Sequence, residues 1–298
     1  MATKRGAGVD WRRRILTLVV GVPTALKLLS SDIGMLLLVG VVCALCLVEF
    51  RGNICAQIVP GRHHARLSQH VLLVAAGTLM CAAAWTGSKD IHDATMALVT
   101  LTVVLYHLLH TTKLDHQAMT LLLLDLFALV YIVSGLSHAV LLRYVHREFG
   151  MGLQIMGVVS AWVCDSGALV AGAFFGHAKL APAISPGKTV VGALAGVASS
   201  VATVLFFFAL PQLTEVLPFG GALHHFLPAT VPLGTQVALG VVVGGLCILG
   251  DLVESYMKRI AGVKDSGRFF PGHGGCLDRM DSVLLTAPFL YFYARFAL

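Results

Sequence analysis

Apolar residues in this chain come in runs as long as a membrane is thick, and polar residues gather between the runs. Nine such runs stand out, at 14–30, 33–50, 70–86, 94–110, 117–136, 152–176, 189–210, 233–254 and 280–297. An α-helix needs ~20 apolar residues to cross the hydrocarbon of a bilayer. The pattern therefore predicts an all-α, polytopic integral membrane protein of about nine transmembrane helices. The first run carries Pro23 and the sixth carries Asp165, so both depart from a plain apolar span. No change of composition divides the chain and no internal repeat is visible. One membrane-embedded domain over residues 1–298 is expected, with its chemistry in cytoplasmic loops.

Composition agrees with the pattern. Of the 298 residues, 57% are hydrophobic and 12% charged, and the mean hydropathy is +0.84. Soluble domains carry about 25% charged residues, so a soluble enzyme, a disordered tail and a nucleic-acid-binding module are all excluded. The net charge of +6 then reads as the lysine and arginine excess of cytoplasmic loops. With the N-terminus inside, 16 of the 21 basic residues fall on the cytoplasmic side, Arg51 among them in an inner loop, against five elsewhere. The basic cluster Arg12-Arg13-Arg14 precedes the first run without a small-residue cleavage site before Lys27. That run is expected to stay as a span and not be removed as a signal peptide.

Charge is concentrated in one place. Residues 251–281 hold five of the 15 carboxylates and five of the 21 basic groups. Asp251 and Glu254, three apart, share a helix face, and Asp278, Arg279 and Asp281 repeat the arrangement at the start of the last run. Facing carboxylates repel unless a cation lies between them. Oxygen-only donors of this kind suit Mg²⁺, which takes one or two carboxylates plus substrate phosphates and water. Nearby Lys and Arg would hold phosphate oxygens, and a glycine-rich turn at 271–275 can bring backbone N–H groups to them. These are the parts of a phosphoryl or nucleotidyl transfer site, although a solvated cytoplasmic loop has the same composition. A second polar segment, 165–188, ends in Ser185-Pro186-Gly187-Lys188-Thr189. It is not a P-loop, because Pro182 stands where that pattern needs glycine. Its lysine and hydroxyls open a helix, which serves either as an anion site or as a plain N-cap.

The order of residues says more than their composition. Ser255-Tyr256-Met257-Lys258-Arg259, Lys264-Asp265-Ser266-Gly267, Pro271-Gly272-His273-Gly274-Gly275 and Asp278-Arg279-Met280-Asp281 closely resemble the signature of the phosphatidate cytidylyltransferases (CDP-diacylglycerol synthases). That signature runs SxxKR, KDxG, PxHGG and DRxD, preceded here by Gly250-Asp251-Leu252-Val253-Glu254. Trp11 to Leu16, Glu49, the stretch from Tyr131 through His138 to Arg143, and the segment from Asp165 to Thr189 are similar to other parts of the family pattern. Leu169, Ala173, Val191 and Cys276 depart from it, where Tyr, Arg, Glu and an aliphatic residue are usual.

The resemblance implies the reaction CTP + phosphatidate → CDP-diacylglycerol + diphosphate at a bilayer surface, with Mg²⁺ and room for a second, monovalent or divalent, cation. It implies catalytic roles for Asp251, Lys258, Arg259, Lys264, Asp265, His273, Asp278, Arg279 and Asp281. Ser185, Lys188, Thr189, Ser255, Gly274 and Gly275 would contact substrate. Asp251, Asp278 and Asp281, with Asp165, would hold metal. His273 could equally be a turn histidine with structural hydrogen bonds. The expected partners are CTP, phosphatidate and the lipid bilayer; no nucleic acid is expected, and a homodimer is left open. The short N-terminal segment resembles bacterial members, which points to the bacterial inner membrane. Two other classes compete. A CTP-dependent polyprenol or phytol kinase should lack the intact signature, and a transporter would use the intramembrane Asp125 and Asp165. Asp125 reads instead as an interhelical hydrogen bond or a protonated buried carboxyl. Metal binding by the Cys43/Cys46 pair or by His63-His64 is not expected.

Overall fold

The computed structural model describes residues 19, 21, 23–60, 67–214, 227–228, 231–270 and 274–298. Residues 23–29 are helical, and eight helices follow. They are α1 (Asp32–Ile58), α2 (Leu67–Trp85), α3 (Lys89–His110), α4 (His116–Val145), α5 (Gly150–Phe175), α6 (Val190–Thr214), α7 (Leu233–Ile260) and α8 (Leu277–Ala297). Among the described residues, α1 to α5, Val190–Pro211 of α6, and α7 are long and apolar enough to cross a membrane, seven in all. The expected run at 280–297 forms α8, which falls outside that set; most of the run at 14–30 lies outside the described residues.

Helix starts follow local chemistry. Ser31, Ser88 and Asp115 each cap a helix by accepting a backbone N–H three residues on, from Gly34, Ile91 and Ala118. Such caps satisfy donors that the helix leaves unpaired. Between α5 and α6 the all-α architecture carries a small addition, an antiparallel hairpin of β1 (Lys179–Ala181) and β2 (Ser185–Thr189). Helix α5 packs on α6, α6 on α7, α7 on α8, and α8 on the second half of α4. Helices α1 to α3 pack against the other side of α4. All seven cysteines are free, buried thiols, as small apolar residues would be.

Two helices change pitch where they meet the rest of the molecule. In α1 the turn Phe50–Cys55, and in α4 the turn Leu129–Val133, are π-helical. The first of these corrects the sequence expectation for Arg51. This residue is not in an inner loop. Its guanidinium is 2% exposed and pairs with Asp125, 1% exposed, from α4. Asp125 also accepts from Gln69 of α2 at 2.6 Å and meets His107 of α3 at 2.8 Å. A buried charge is stable only when paired and hydrogen-bonded, and three helices, α1, α2 and α3, supply partners to Asp125 of α4. Asp125 is thus held in a buried interhelical ion pair, in line with its reading as an interhelical hydrogen bond.

Removing one member of a buried pair strands the other, at about 3–5 kcal/mol. Arg51→Ala or Asp125→Ala should therefore lower the melting temperature in detergent sharply. Arg51→Met combined with Asp125→Leu should restore most of the loss, as read by thermal unfolding followed by size-exclusion chromatography.

Candidate active site

The ends of α5, α6, α7 and α8 meet around a cavity of about 590 Å³, roofed by the β-hairpin and the loop between α7 and α8. Its construction begins with a glycine. Gly250 of α7 lies against the backbone of Asp281 in α8, where any Cβ would collide with the Asp281 carbonyl oxygen. The two helices therefore cross at van der Waals distance, and the next residue along, Asp251, is brought to the same cavity as Asp281. The Tyr131 hydroxyl of α4 donates to the Gly250 carbonyl at 3.1 Å and supports the crossing from behind. Asp165 of α5 lines the same cavity.

Among the described residues, the lining holds six carboxylates (Asp165, Asp251, Glu254, Asp265, Asp278 and Asp281) and three basic side chains (Lys188, Lys258 and Arg279). Two of the cations are held by carboxylates. Lys188 of β2 meets Asp251 at 2.5 Å. Lys258 bridges Asp278, at 2.6 Å, and Glu254, which is completely buried. Glu254, which the sequence marks as sharing a helix face with Asp251, was given no site role of its own there. Its place one turn before Lys258 was the signal available in the sequence.

Asp278 is the most fully engaged of the acids. Its Oδ1 accepts from Lys258, and its Oδ2 accepts the backbone N–H groups of Ser266 at 3.0 Å and Gly275 at 2.7 Å. Burial pushes the carboxyl up, but hydrogen bonding with Glu254, Lys258 and the Gly275 N–H outweighs it and holds the group down at about 2. Gly274 adopts φ +89°, its carbonyl accepts the Phe270 N–H, and a Cβ there would lie 2.8 Å from Asp278 Oδ2.

Other expected residues take less direct places. Ser255 donates to Asp251 Oδ1 at 3.1 Å, orienting a carboxylate of the site. Arg259 Nε donates to the Ile184 carbonyl at 3.1 Å, which ties the hairpin to the end of α7. Thr189 accepts the Gly192 N–H at 3.1 Å and so acts as the N-cap of α6, while Ser185 and Lys188 line the cavity. Lys264 is exposed outside the lining, and Asp265 beside it is part of the lining. The Gly275 N–H, expected to meet a phosphate, is engaged by Asp278. His273 lies outside the described residues.

The donor set is chemically suited to a hard divalent ion. Among the described residues no three His, Cys, Asp or Glu side chains converge into a closed metal cage. Asp251, Asp281 and Asp165 instead face one cavity, which fits an open site completed by phosphate oxygens and water. One wall differs from the rest. Ala168, Leu169, Gly172 and Ala173 of α5, with Gly192 and Ala193 of α6, are small or apolar, and Leu169 is 74% exposed.

The profile of the cytidylyltransferase family matches residues 12–297. The chain belongs to that family. A phosphatidate cytidylyltransferase of Haemophilus influenzae is 35% identical over 179 residues, covering 58% of this chain and 56% of that protein. One from Synechocystis is 42% identical over 144 residues, 48% of this chain and 43% of the relative. One from Thermotoga maritima is 32% identical over 197 residues, 66% and 67%. The chain spans about half the length of most of these curated relatives. Family membership agrees with the resemblance carried by residues 250–281, and the family match extends well beyond them.

The depressed Asp278 carboxyl has a pH signature. A group whose value falls on folding stabilises the protein above its ordinary value, near 3.8, and loses that contribution as pH drops towards 2. The contribution at neutral pH is about 2 kcal/mol. The gap in melting temperature between the wild type and Asp278→Asn should therefore be widest above pH 5 and narrow as pH falls to 3.

Proposed function

We propose that the protein transfers the cytidylyl group of CTP to phosphatidate, releasing diphosphate and forming CDP-diacylglycerol. The observation that carries this reading is the mixed cavity at the helix ends. Its floor is charged and rich in oxygen donors, and its α5–α6 wall is apolar and exposed along a membrane-spanning pair. One cavity can thus receive a nucleotide triphosphate and a lipid phosphate whose acyl chains stay among the helices.

In the reaction a phosphate oxygen of phosphatidate attacks the α-phosphorus of CTP. A new P–O bond forms, and the bond from the α-phosphorus to the β-phosphate bridging oxygen breaks, so diphosphate leaves. A phosphate monoester is already ionised near neutral pH, so no side chain has to generate the nucleophile. The protein's task is to hold two polyanions against their repulsion. Asp251 and Asp281, with Asp165 in the same cavity, are the groups placed to hold Mg²⁺, and a second cation would use the same acidic surface. When bound, Mg²⁺ supplies charge neutralisation to the phosphates. Lys188 and Arg279 face the same space and would take phosphate oxygens. Lys258, held between Glu254 and Asp278, would present a fixed positive charge to the departing diphosphate. Arg259 holds the hairpin that carries Ser185 and Lys188. Lys264 and Asp265 belong to the rim, where incoming nucleotide would meet them.

The excess of basic residues on the loops of this end supports a cytoplasmic orientation of the cavity. The bacterial relatives support placement in the inner membrane.

Purified protein incubated with α-labelled CTP, phosphatidate and Mg²⁺ should form labelled CDP-diacylglycerol. Absence of product from a folded preparation, or transfer of label from γ-labelled CTP to an added polyprenol instead, would overturn the proposal. Asp281→Asn should lower turnover at limiting Mg²⁺ by about 10²-fold or more, the scale of lost transition-state charge stabilisation. Full turnover in that variant would remove Asp281 from the metal site.

A further inference from the structure

Glu49 ends the regular part of α1, two residues before the buried Arg51, and its side chain does not line the cavity. Its carboxylate is nonetheless inserted into the loop that carries the signature. Oε2 accepts the backbone N–H of Leu277, the first residue of α8, at 3.0 Å and the Ser266 hydroxyl at 3.3 Å. Asn53, one turn later on the π-helical turn, donates to the Ser266 carbonyl at 2.7 Å. A carboxylate at a helix N-terminus is favoured by the free N–H groups there, and in a buried place such charge-assisted bonds are the stronger kind.

The two loop glycines beside it take their meaning from the same group. A Cβ at Gly267 or at Gly275 would collide with the Glu49 carboxylate. Neither glycine has a positive φ, since only Gly87, Gly262 and Gly274 do among the described residues. Space for Glu49, not backbone freedom, is what these two positions require.

From Glu49 a continuous set of bonds leads into the cavity. Ser266 Oγ accepts the Asp278 N–H at 3.2 Å while the Ser266 N–H donates to Asp278 Oδ2, so these two residues interlock. Asp278 Oδ1 then fixes Lys258. We propose, building on the cytidylyltransferase reading, that Glu49 is a positioning residue. Through Ser266 it locks Asp278, and through Asp278 it aims Lys258 at the phosphates. The π-helical turn sets this up by directing Glu49 and Asn53 to the loop while Arg51, between them, is anchored on the other side by Asp125. Turns of this type recur at functional sites.

The test uses the full chain in detergent with three readouts on Glu49→Gln. Its melting temperature should stay within about 4 °C of wild type, a loss of ~1 kcal/mol or less. Hydrogen exchange at the amides of Ser266, Gly275 and Leu277 should rise about tenfold or more, as local opening becomes easier. Turnover with CTP and phosphatidate should fall about tenfold or more with KM for CTP changed less than threefold, because a misaimed group affects the reacting geometry more than binding. Ser266→Ala, which cuts the same link from the loop side, should show the same split if Glu49→Gln does not fold. The double variant should be no worse than either single one. Unchanged amide exchange, a loss confined to KM, or full additivity of the two substitutions would overturn the proposal. The exchange readout stands whether or not the wild type converts phosphatidate, so failure of the functional reading is seen separately, as an inactive wild type with a locked loop.

Discussion

The physical constraint on this molecule is a surplus of negative charge at the edge of a low-dielectric slab. Six carboxylates and three cations line one cavity among the described residues. Coulomb energy between like charges rises as water is withdrawn, so the arrangement is tolerable only with compensation. The fold provides some of it. Lys188 covers Asp251, and Lys258 covers both Glu254 and Asp278. Backbone N–H groups of the loop complete Asp278. Asp165 and Asp281 line the same cavity beside Asp251, and this group is where a metal ion is proposed.

Packing and electrostatics are the same problem here. The contact of Gly250 with the Asp281 backbone sets how closely two acidic helices approach, and Tyr131 supports it with a hydrogen bond. The signature loop could not keep this geometry from within, since its own residues are mostly small or polar. It is held from outside by α1, whose last turns address the loop on one face and the Asp125 network on the other. Two buried acids, Glu49 and Asp125, thus act at a distance from the cavity through the helix that joins them.

Much of this was legible in the chain. The apolar runs located most spans, closely for 152–176, observed as Gly150–Phe175, and 70–86, observed as Leu67–Trp85. The runs 33–50, 117–136 and 233–254 stop short of helices that continue to Ile58, Val145 and Ile260. Of the residues whose order stood out, Lys258, Asp278 and Asp281 line one cavity, Ser255 bonds to Asp251 there, and Lys264 lies outside the lining. Contacts between distant positions were not legible. Arg51 closes an apolar run and so looks like the start of a loop, until Asp125, 74 positions away, supplies its counter-charge. Glu49 and Ser266 are separated by 217 positions, and nothing local marks them as partners. The hairpin at 179–189 is too short and too rich in Pro and Gly to leave an alternating pattern. The turn at 271–275 reads in sequence as a phosphate cradle, but the Gly275 N–H is engaged by Asp278, and Gly275, like Gly267, leaves room for Glu49.

If surplus charge governs the site, CTP should not enter it without a cation. The decisive measurement is equilibrium binding of CTP to the purified protein as a function of Mg²⁺, for the wild type and for Asp251→Asn with Asp281→Asn. The account predicts no detectable CTP binding by the wild type in excess chelator and strong binding as Mg²⁺ is added. The double variant should bind CTP weakly and without dependence on Mg²⁺, because its repulsion and its ligands are removed together. Equal binding of CTP by the wild type with and without Mg²⁺ would contradict it.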